Sequence, residues 1–269
     1  MSASPPLGDH GLDLRHLAGL RPPPHNTTQL IDRISHHLDQ HDGYVAFSGG
    51  KDSLSVLHLA RQADPNVPVC FFDSGLEFPE TYNYIADLAE TWNLNLDVIR
   101  AERTTLEVLA ANGSWSHHRT VSAQISLLNN NILNPASTAH TRHGNGELWG
   151  LRATESNSRR VMFATALRKT DDFLADGGVC RRKDGTVTFS PVWNWNDDHI
   201  WGHISRHHLP TNPIYDKLRD LGAPPHAIRV SHMIDATGLE TGRLVWLKRG
   251  WPSLFELIAE ALPRAVEHV

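Results

Sequence analysis

The chain has 269 residues, 40% of them apolar, a formal net charge of −5, two cysteines and eighteen histidines. That is enough for one large domain, or one domain with a small appendage. No run approaches the roughly 20 apolar residues of a bilayer span, Cys70 and Cys180 leave no disulfide framework and no four-thiolate metal or iron–sulfur site within the chain, and the negative balance argues against a broad nucleic-acid-coating surface.

Met1–His25 lacks a signal-peptide core and a positive leader, and its prolines Pro5, Pro6 and Pro22 to Pro24 predict a loosely ordered arm over residues 1–26. A cytoplasmic protein with no membrane contact is the expectation. Thr27-Thr28 before Gln29-Leu30-Ile31 predicts a capped amphipathic helix to about Leu38. The apolar run Tyr44–Phe47 then predicts a short buried strand.

Phe47-Ser48-Gly49-Gly50-Lys51-Asp52-Ser53 follows that strand and leads into a helical stretch, Leu54–Ala60. The two glycines let the backbone approach an anion and aim its N–H groups inward. The helix points the positive end of its dipole at the same place. Ser48 and Ser53 add hydroxyl donors, Lys51 a mobile cation, and Asp52 a carboxylate to hold a metal or steer the lysine. The spacing is not that of a Walker A loop; the segment reads as a different phosphate cradle.

After a turn at Asp64-Pro65-Asn66, Val67–Phe72 is a nearly continuous apolar run suited to a strand buried on both faces. Asp73-Ser74-Gly75 ends it, and Phe78-Pro79-Glu80-Thr81 begins a helix. Leu94–Ile99, Glu147–Leu151 and Val187–Val192 complete five predicted strands. Residues 104–146 are a mixed insertion with a helix near Val121–Leu128 and a flexible connection after it. From His203 onward the chain looks helical and basic-aromatic, with Arg243, Trp246, Lys248, Arg249 and Trp251. The organisation expected is an arm (1–26), a nucleotide-binding domain (27–202) and a helical C-terminal region (203–269).

Strands alternating with helices predict an α/β fold, a doubly wound and mainly parallel five-stranded sheet. Ligands of such sheets bind beyond the carboxyl ends of the strands where strand order reverses. Ser48–Ser53, Asp73-Ser74-Gly75 and Gly150-Leu151-Arg152 all fall there. Asp73 and Ser74 suit a base or ribose, or alternatively an Asx-turn. Arg152 offers a planar fork for an anion, with Arg159 and Arg160 behind it as further anion ligands, or with Arg160 paired to Glu155. Asn196-Asp197-Asp198 reads as a helix cap rather than as catalytic. His117-His118 and His207-His208 lack metal-motif context and read as structural or surface residues.

The Ser-Gly-Gly-Lys-Asp-Ser loop resembles the S-G-G-x-D-S signature of the PP-loop ATP pyrophosphatases, also described as adenine nucleotide alpha hydrolase-like. Asp73–Tyr82 and Gly150–Ser156 with Arg159 are similar to stretches of the phosphoadenylyl-sulfate (PAPS) reductase branch, as is Ser190–Trp201. The likeness runs from about Gly43 to Tyr215. It implies ATP as ligand, held by Phe47 to Ser53, Asp73, Ser74, Gly75, Gly150, Arg152, Arg159 and Arg160. It also implies Mg²⁺ at Asp52, and Lys51, Asp52 and Arg152 as catalytic residues. PAPS reductases carry a degenerate loop and a C-terminal cysteine in an E-C-G-[IL]-H-like motif. Here the loop is intact and no cysteine follows Pro213.

The expected activity is therefore cleavage of ATP between its α- and β-phosphates, adenylating an acceptor oxygen and releasing pyrophosphate. The expected setting is sulfur transfer or nucleic-acid modification of the DNA phosphorothioation kind. A sulfur-donor protein and a DNA or RNA backbone are the partners considered, on the strength of the basic stretch Arg152–Lys183 and the aromatic-basic tail. The alternatives are a PAPS- or adenylyl-sulfate-type reductase using Cys180 or Cys70, and an ATP-binding regulatory subunit without turnover.

Overall fold

Tyr44, Val45 and Ala46 are buried on both faces and form β1 (Tyr44–Ala46), the strand about which the rest of the sheet is arranged. In the computed structural model, which describes residues 27–117, 124–168, 177–230 and 243–269, β1 lies between β2 (Pro68–Asp73) and β4 (Gly146–Leu148), parallel to both. β3 (Asn95–Arg100) pairs with β2 and closes one edge. On the other side β6 (Val187–Phe189) joins β4 in parallel, and β5 (Val179–Arg181) joins β6 antiparallel. The order is β3-β2-β1-β4-β6-β5.

The fold class is the one expected, with six strands instead of five. The additional strand is β5, where Val179-Cys180 gives way at once to Arg181-Arg182-Lys183, so that no apolar run or alternation marks it. Successive connections run outward from β1 through β2 to β3, then return to β4 on its other flank. The strand order thus reverses between β1 and β4, which opens a crevice above their carboxyl ends.

Helix α1 (Thr27–His41) precedes β1 and buries Leu30 and Ile34. Helix α2 (Lys51–Ala63) begins at Lys51, three residues earlier than the apolar stretch suggested, and buries Leu54, Val56, Leu57, Leu59 and Ala60. Its first turn is polar because it faces the crevice rather than the core. Helix α3 (Pro79–Thr91) starts on Pro79, whose missing N–H costs nothing at a first helical position. Helix α4 (Thr105–Ala111) carries a complete capping box between Thr104 and Glu107.

The expected helix near Val121–Leu128 begins outside the described residues. A π-helical turn (Asn129–Leu133) runs directly into α5 (Asn134–His143), where a flexible connection was expected. The Asn129 to Asn131 run, which reads as a breaker, is used internally: Asn130 and Asn131 hold the Arg103 carbonyl and the Thr105 hydroxyl.

α6 (Asn157–Leu167) and α7 (Asp197–Arg206) follow, and α7 runs through the expected boundary at 202/203. The C-terminal part is helical as expected: α8 (Ile214–Asp220), α9 (Arg243–Gly250) and α10 (Pro252–Ala261). Its apolar cluster, with Tyr215, Leu247, Trp251 and Ile258, also takes in Leu76, Phe78 and Leu109. The helices after α7 therefore share a core with the segment that follows β2. The expected arm over residues 1–26 lies outside the described residues, as do His118 and Lys169. Among the described residues no helix is long and apolar enough to cross a membrane.

Candidate active site

The loop between β1 and α2 turns on Gly49, at φ +74°, a left-handed conformation that glycine adopts without strain. Phe47 is buried, so only its backbone is available to the crevice; its N–H donates to the Cys70 carbonyl at 2.9 Å. The Ser53 hydroxyl donates to the Gly50 carbonyl at 3.0 Å and lies 3.2 Å from the Ser48 hydroxyl, which ties the two ends of the cradle together. Gly150, in the loop after β4, passes so close that a Cβ there would sit 2.7 Å from the Ser53 nitrogen and 2.8 Å from the Asp52 carbonyl carbon. Only glycine permits that approach, and it brings Arg152 to the mouth of α2.

Four charged side chains then meet. Lys51 Nζ is 2.9 Å from Asp52 Oδ2 and 3.0 Å from Asp197 Oδ1. The Arg152 guanidinium places Nε 2.7 Å from Asp52 Oδ1 and an Nη 2.7 Å from Asp197 Oδ1. Arg152 is 5% exposed and Asp197 66%, so of the four groups Asp197 is the one open to solvent. The Arg152 Nε, buried and 2.7 Å from Asp52 Oδ1, anchors the guanidinium to the first turn of α2. Burial works to raise the Asp197 carboxyl, but the Lys51 and Arg152 charges outweigh it and hold it below the usual range.

Asp197 was expected to cap a helix and nothing more. The cap is real but belongs to its neighbour, since Asn196 Oδ1 accepts the His199 N–H at 2.9 Å. That cap turns α7 so that Asp197 reaches the crevice.

Two further groups carried no sequence signal. The Tyr215 hydroxyl accepts the Lys51 N–H at 2.8 Å, and Asn212 donates to the Gly49 carbonyl at 3.4 Å and to the Thr81 hydroxyl at 3.0 Å. The C-terminal region thus grips the phosphate loop from outside. Only a pairing over more than 160 positions reveals this, and no local pattern encodes it.

At the end of β2, Asp73 Oδ1 accepts the Gly75 N–H at 2.9 Å, the Asx-turn that was the alternative reading of this motif, and also the Tyr82 hydroxyl at 2.8 Å. Ser74 donates to Glu77 at 3.2 Å. Burial pushes the Glu77 carboxyl up to about 7, opposed by the Ser74 hydrogen bond and reinforced by Asp73. Asp73, Ser74 and Gly75 therefore stand at a strand end beside the crevice, joined by a carboxyl poised near neutrality.

Arg159 and Arg160 separate. Arg159 pairs with Glu155, whose Oε2 accepts the Arg152 N–H at 3.0 Å, so Arg159 braces the Arg152 turn. Arg160 is exposed on α6, and the pairing with Glu155 considered for it is made by Arg159. Trp193 and Trp195 back the same turn: the Trp193 carbonyl accepts the Ala153 N–H at 2.7 Å, and the Trp195 carbonyl is 3.4 Å from Arg152.

The aromatic tail is packing. Trp251 is buried, stacks 4.4 Å from Phe78 and donates to Glu80 at 2.8 Å, while Lys217 lies 4.2 Å above its ring. Trp246 is partly buried under Arg249. Trp251 therefore offers no free ring face of the kind base stacking needs.

These elements define an α/β protein with a glycine-bearing loop and a cluster of Lys51, Asp52, Arg152 and Asp197 at its strand-order reversal. The family model described as "phosphoadenosine phosphosulfate reductase domain" matches residues 43–225, and the chain belongs to that family. It is 26% identical over 223 residues to a phosphoadenosine 5′-phosphosulfate reductase of Xylella fastidiosa (strain M12), covering 81% of this chain and 83% of that protein. A phosphoadenosine 5′-phosphosulfate reductase of Thiocapsa roseopersicina is 29% identical over 187 residues, covering 68% and 70%. Among solved structures, phosphoadenylyl-sulfate reductase from Candida auris aligns with a TM-score of 0.48 at 18% identity, covering 76% of this chain and 94% of that one.

Proposed function

We propose that the chain binds ATP in the β1–α2 cradle and transfers its adenylyl group to an acceptor oxygen, releasing pyrophosphate. The observation that carries this is the joining of Lys51 and Arg152, from two separate loops, at the N-terminus of α2 above an intact Ser48–Ser53 loop. The acceptor oxygen attacks the α-phosphorus, the bond from that phosphorus to the bridging oxygen breaks, and pyrophosphate leaves with the electron pair. Loop N–H groups, Lys51 and Arg152 neutralise the charge that develops on the phosphates, and positioning supplies most of the rest. Asp52 and Asp197 are hard oxygen donors of the kind Mg²⁺ takes in ones and twos beside phosphate oxygens. They would hold that ion, whose contribution is further charge neutralisation.

The setting we favour is sulfur transfer or nucleic-acid modification of the phosphorothioation kind, with sulfur brought by a donor protein and a DNA or RNA backbone as the candidate acceptor. Arg160, Arg168, Arg181 and Lys183 are exposed and available for such a backbone.

A second reading is favoured by the family and by the names of its members: reduction of a PAPS-type sulfonucleotide. It needs a thiol nucleophile at the crevice. The chain's cysteines are Cys70, whose side chain packs with Tyr44, Ile99 and Ala139, and Cys180 on the edge strand β5.

Two assays separate the readings. Pyrophosphate release from ATP and Mg²⁺, with DNA, RNA or sulfate as acceptors, is expected for wild type and lost in a folded Lys51→Ala variant. Thioredoxin-coupled sulfite release from PAPS, abolished by substitution of either cysteine, would establish the second reading instead. Nucleotide binding with neither product would assign a regulatory subunit.

A further inference from the structure

On the face of the sheet covered by α5, away from the phosphate loop, Cys70 of β2 and Asp97 of β3 are direct partners in the parallel ladder. Paired residues project to the same face, so thiol and carboxylate stand side by side. His143, in the last turn of α5, closes over them, its Nε2 2.9 Å from Asp97 Oδ2. One ligand atom from each of the three lies within 4.8 Å of the other two. Cys70 is buried, whereas His143 and Asp97 keep about a fifth of their side-chain surface exposed (18% and 22%). An open cleft of about 860 Å³, lined in part by Pro68, Arg142 and His143, borders the cluster on its His143 side.

We propose that Cys70, Asp97 and His143 form a binding site for a zinc-class divalent cation, with a solvent molecule in the fourth position. The donor set is one sulfur, one oxygen and one imidazole nitrogen. That is the mixture that borderline-soft Zn²⁺ accepts, in the three-ligand form that leaves one position open. Mg²⁺ and Ca²⁺, which take oxygen ligands, are not matched by it.

Binding releases the Cys70 proton to solvent, so that a thiolate and the Asp97 carboxylate, the latter shared with Arg142, face the dication. Arg142, which donates to Asp97 Oδ1 at 2.8 Å and Oδ2 at 3.0 Å, keeps Oδ1 as its partner and fixes the carboxylate orientation, as outer groups around metal ligands do. The set is spread over 74 positions of the chain, which is why the absence of zinc-motif spacing in the sequence does not bear on it.

Cobalt titration tests the site, because a cobalt–thiolate charge-transfer band in the near ultraviolet reports a cysteine ligand and is blind to surface histidines. Metal-free full-length protein should take up one Co²⁺ with that band, and Zn²⁺ should bleach it. Cys180→Ser should keep the band and Cys70→Ser should lose it. His143→Gln, a change at a partly exposed side chain, should weaken Co²⁺ affinity at least tenfold if Cys70→Ser fails to fold. Absence of the band in wild type, its retention in Cys70→Ser, or unchanged affinity in His143→Gln would each overturn the proposal.

Discussion

The hydroxyl of Tyr215 accepts the backbone N–H of Lys51 at 2.8 Å, 164 positions earlier in the chain. A helix starts with N–H groups that have no intrahelical partner, and side chains or ligands must satisfy them. Here the C-terminal region does so for the first N–H of α2, from a tyrosine whose ring packs edge-on against Trp201 at 5.2 Å. Tyr215→Phe keeps that packing and removes the acceptor. The expected loss is about 1–2 kcal/mol of stability, read as a lower urea midpoint at unchanged slope. An unchanged midpoint would show that the contact is not stabilising.

Asp197 and Asn196 are neighbours with different tasks. Asn196→Ala removes the α7 cap and should cost about 1 kcal/mol. Asp197→Ala takes away a carboxylate shared by Lys51 and Arg152 in the crevice. Pyrophosphate release should fall more in Asp197→Ala than in Asn196→Ala, with the larger stability loss in the latter. The reverse ranking in paired turnover and denaturation measurements would remove Asp197 from the site.

Gly150 is set by space, since a Cβ would meet the backbone of Ser53 and Asp52 at 2.7–2.8 Å. Backbone cannot step aside as a flexible side chain can. Gly150→Ala should push the Arg152 turn away from α2 and destabilise the protein by about 1–3 kcal/mol, with weaker binding of a nonhydrolysable ATP analogue by calorimetry. Wild-type affinity in this variant would mean that the crevice does not depend on that approach.

Acid should destabilise the protein through two separate groups. His58 of α2, His203 of α7 and His207, just past the end of α7, stack with ring centroids 4.6–5.0 Å apart. Burial, then the neighbouring His58 and His207, lowers His203 to about 3; burial, His207 and Arg61 lower His58 to about 4. Folded histidines that resist protonation contribute stability above the unfolded value of about 6.5, and that stability fades as pH falls toward 3–4.

Glu147 of β4 acts at lower pH. Burial works to raise it, but hydrogen bonds from His140 and Thr188 and the Arg182 charge bring it to about 2. Its contribution is present above the ordinary value of 4.5 and is lost between there and pH 2. His203→Gln should flatten the decline between pH 6.5 and 4, while Glu147→Gln should flatten only the decline below 4.5. Identical stability–pH curves for the two variants and wild type would refute this division.

The phosphate loop was legible because its parts are adjacent in the chain: a strand, two glycines, a lysine and a helix start are local features, and local features dictate local backbone geometry. The placement of Asp73 at the end of β2 followed from alternation, as did that of Arg152 beyond β4, although β4 stops at Leu148 rather than at the expected Leu151. β5 carries no sequence signal because its two apolar residues run straight into three basic ones, and the π turn at Asn129–Leu133 carries none because its asparagines find their partners at Arg103 and Thr105 only once folded.

Asp197, Tyr215 and Asn212 are in a different category. Their side chains look like an ordinary cap, a core aromatic and a loop amide until α7 and α8 dock beside α2, and the same holds for Cys70, Asp97 and His143. By itself the sequence determined the glycine-bearing turn from the first strand into a helix, since each part of it sits within seven residues. Only the tertiary structure decided which distant carboxylates and hydroxyls meet that turn, because ion pairs and hydrogen bonds act over a few ångströms of space whatever the distance along the chain.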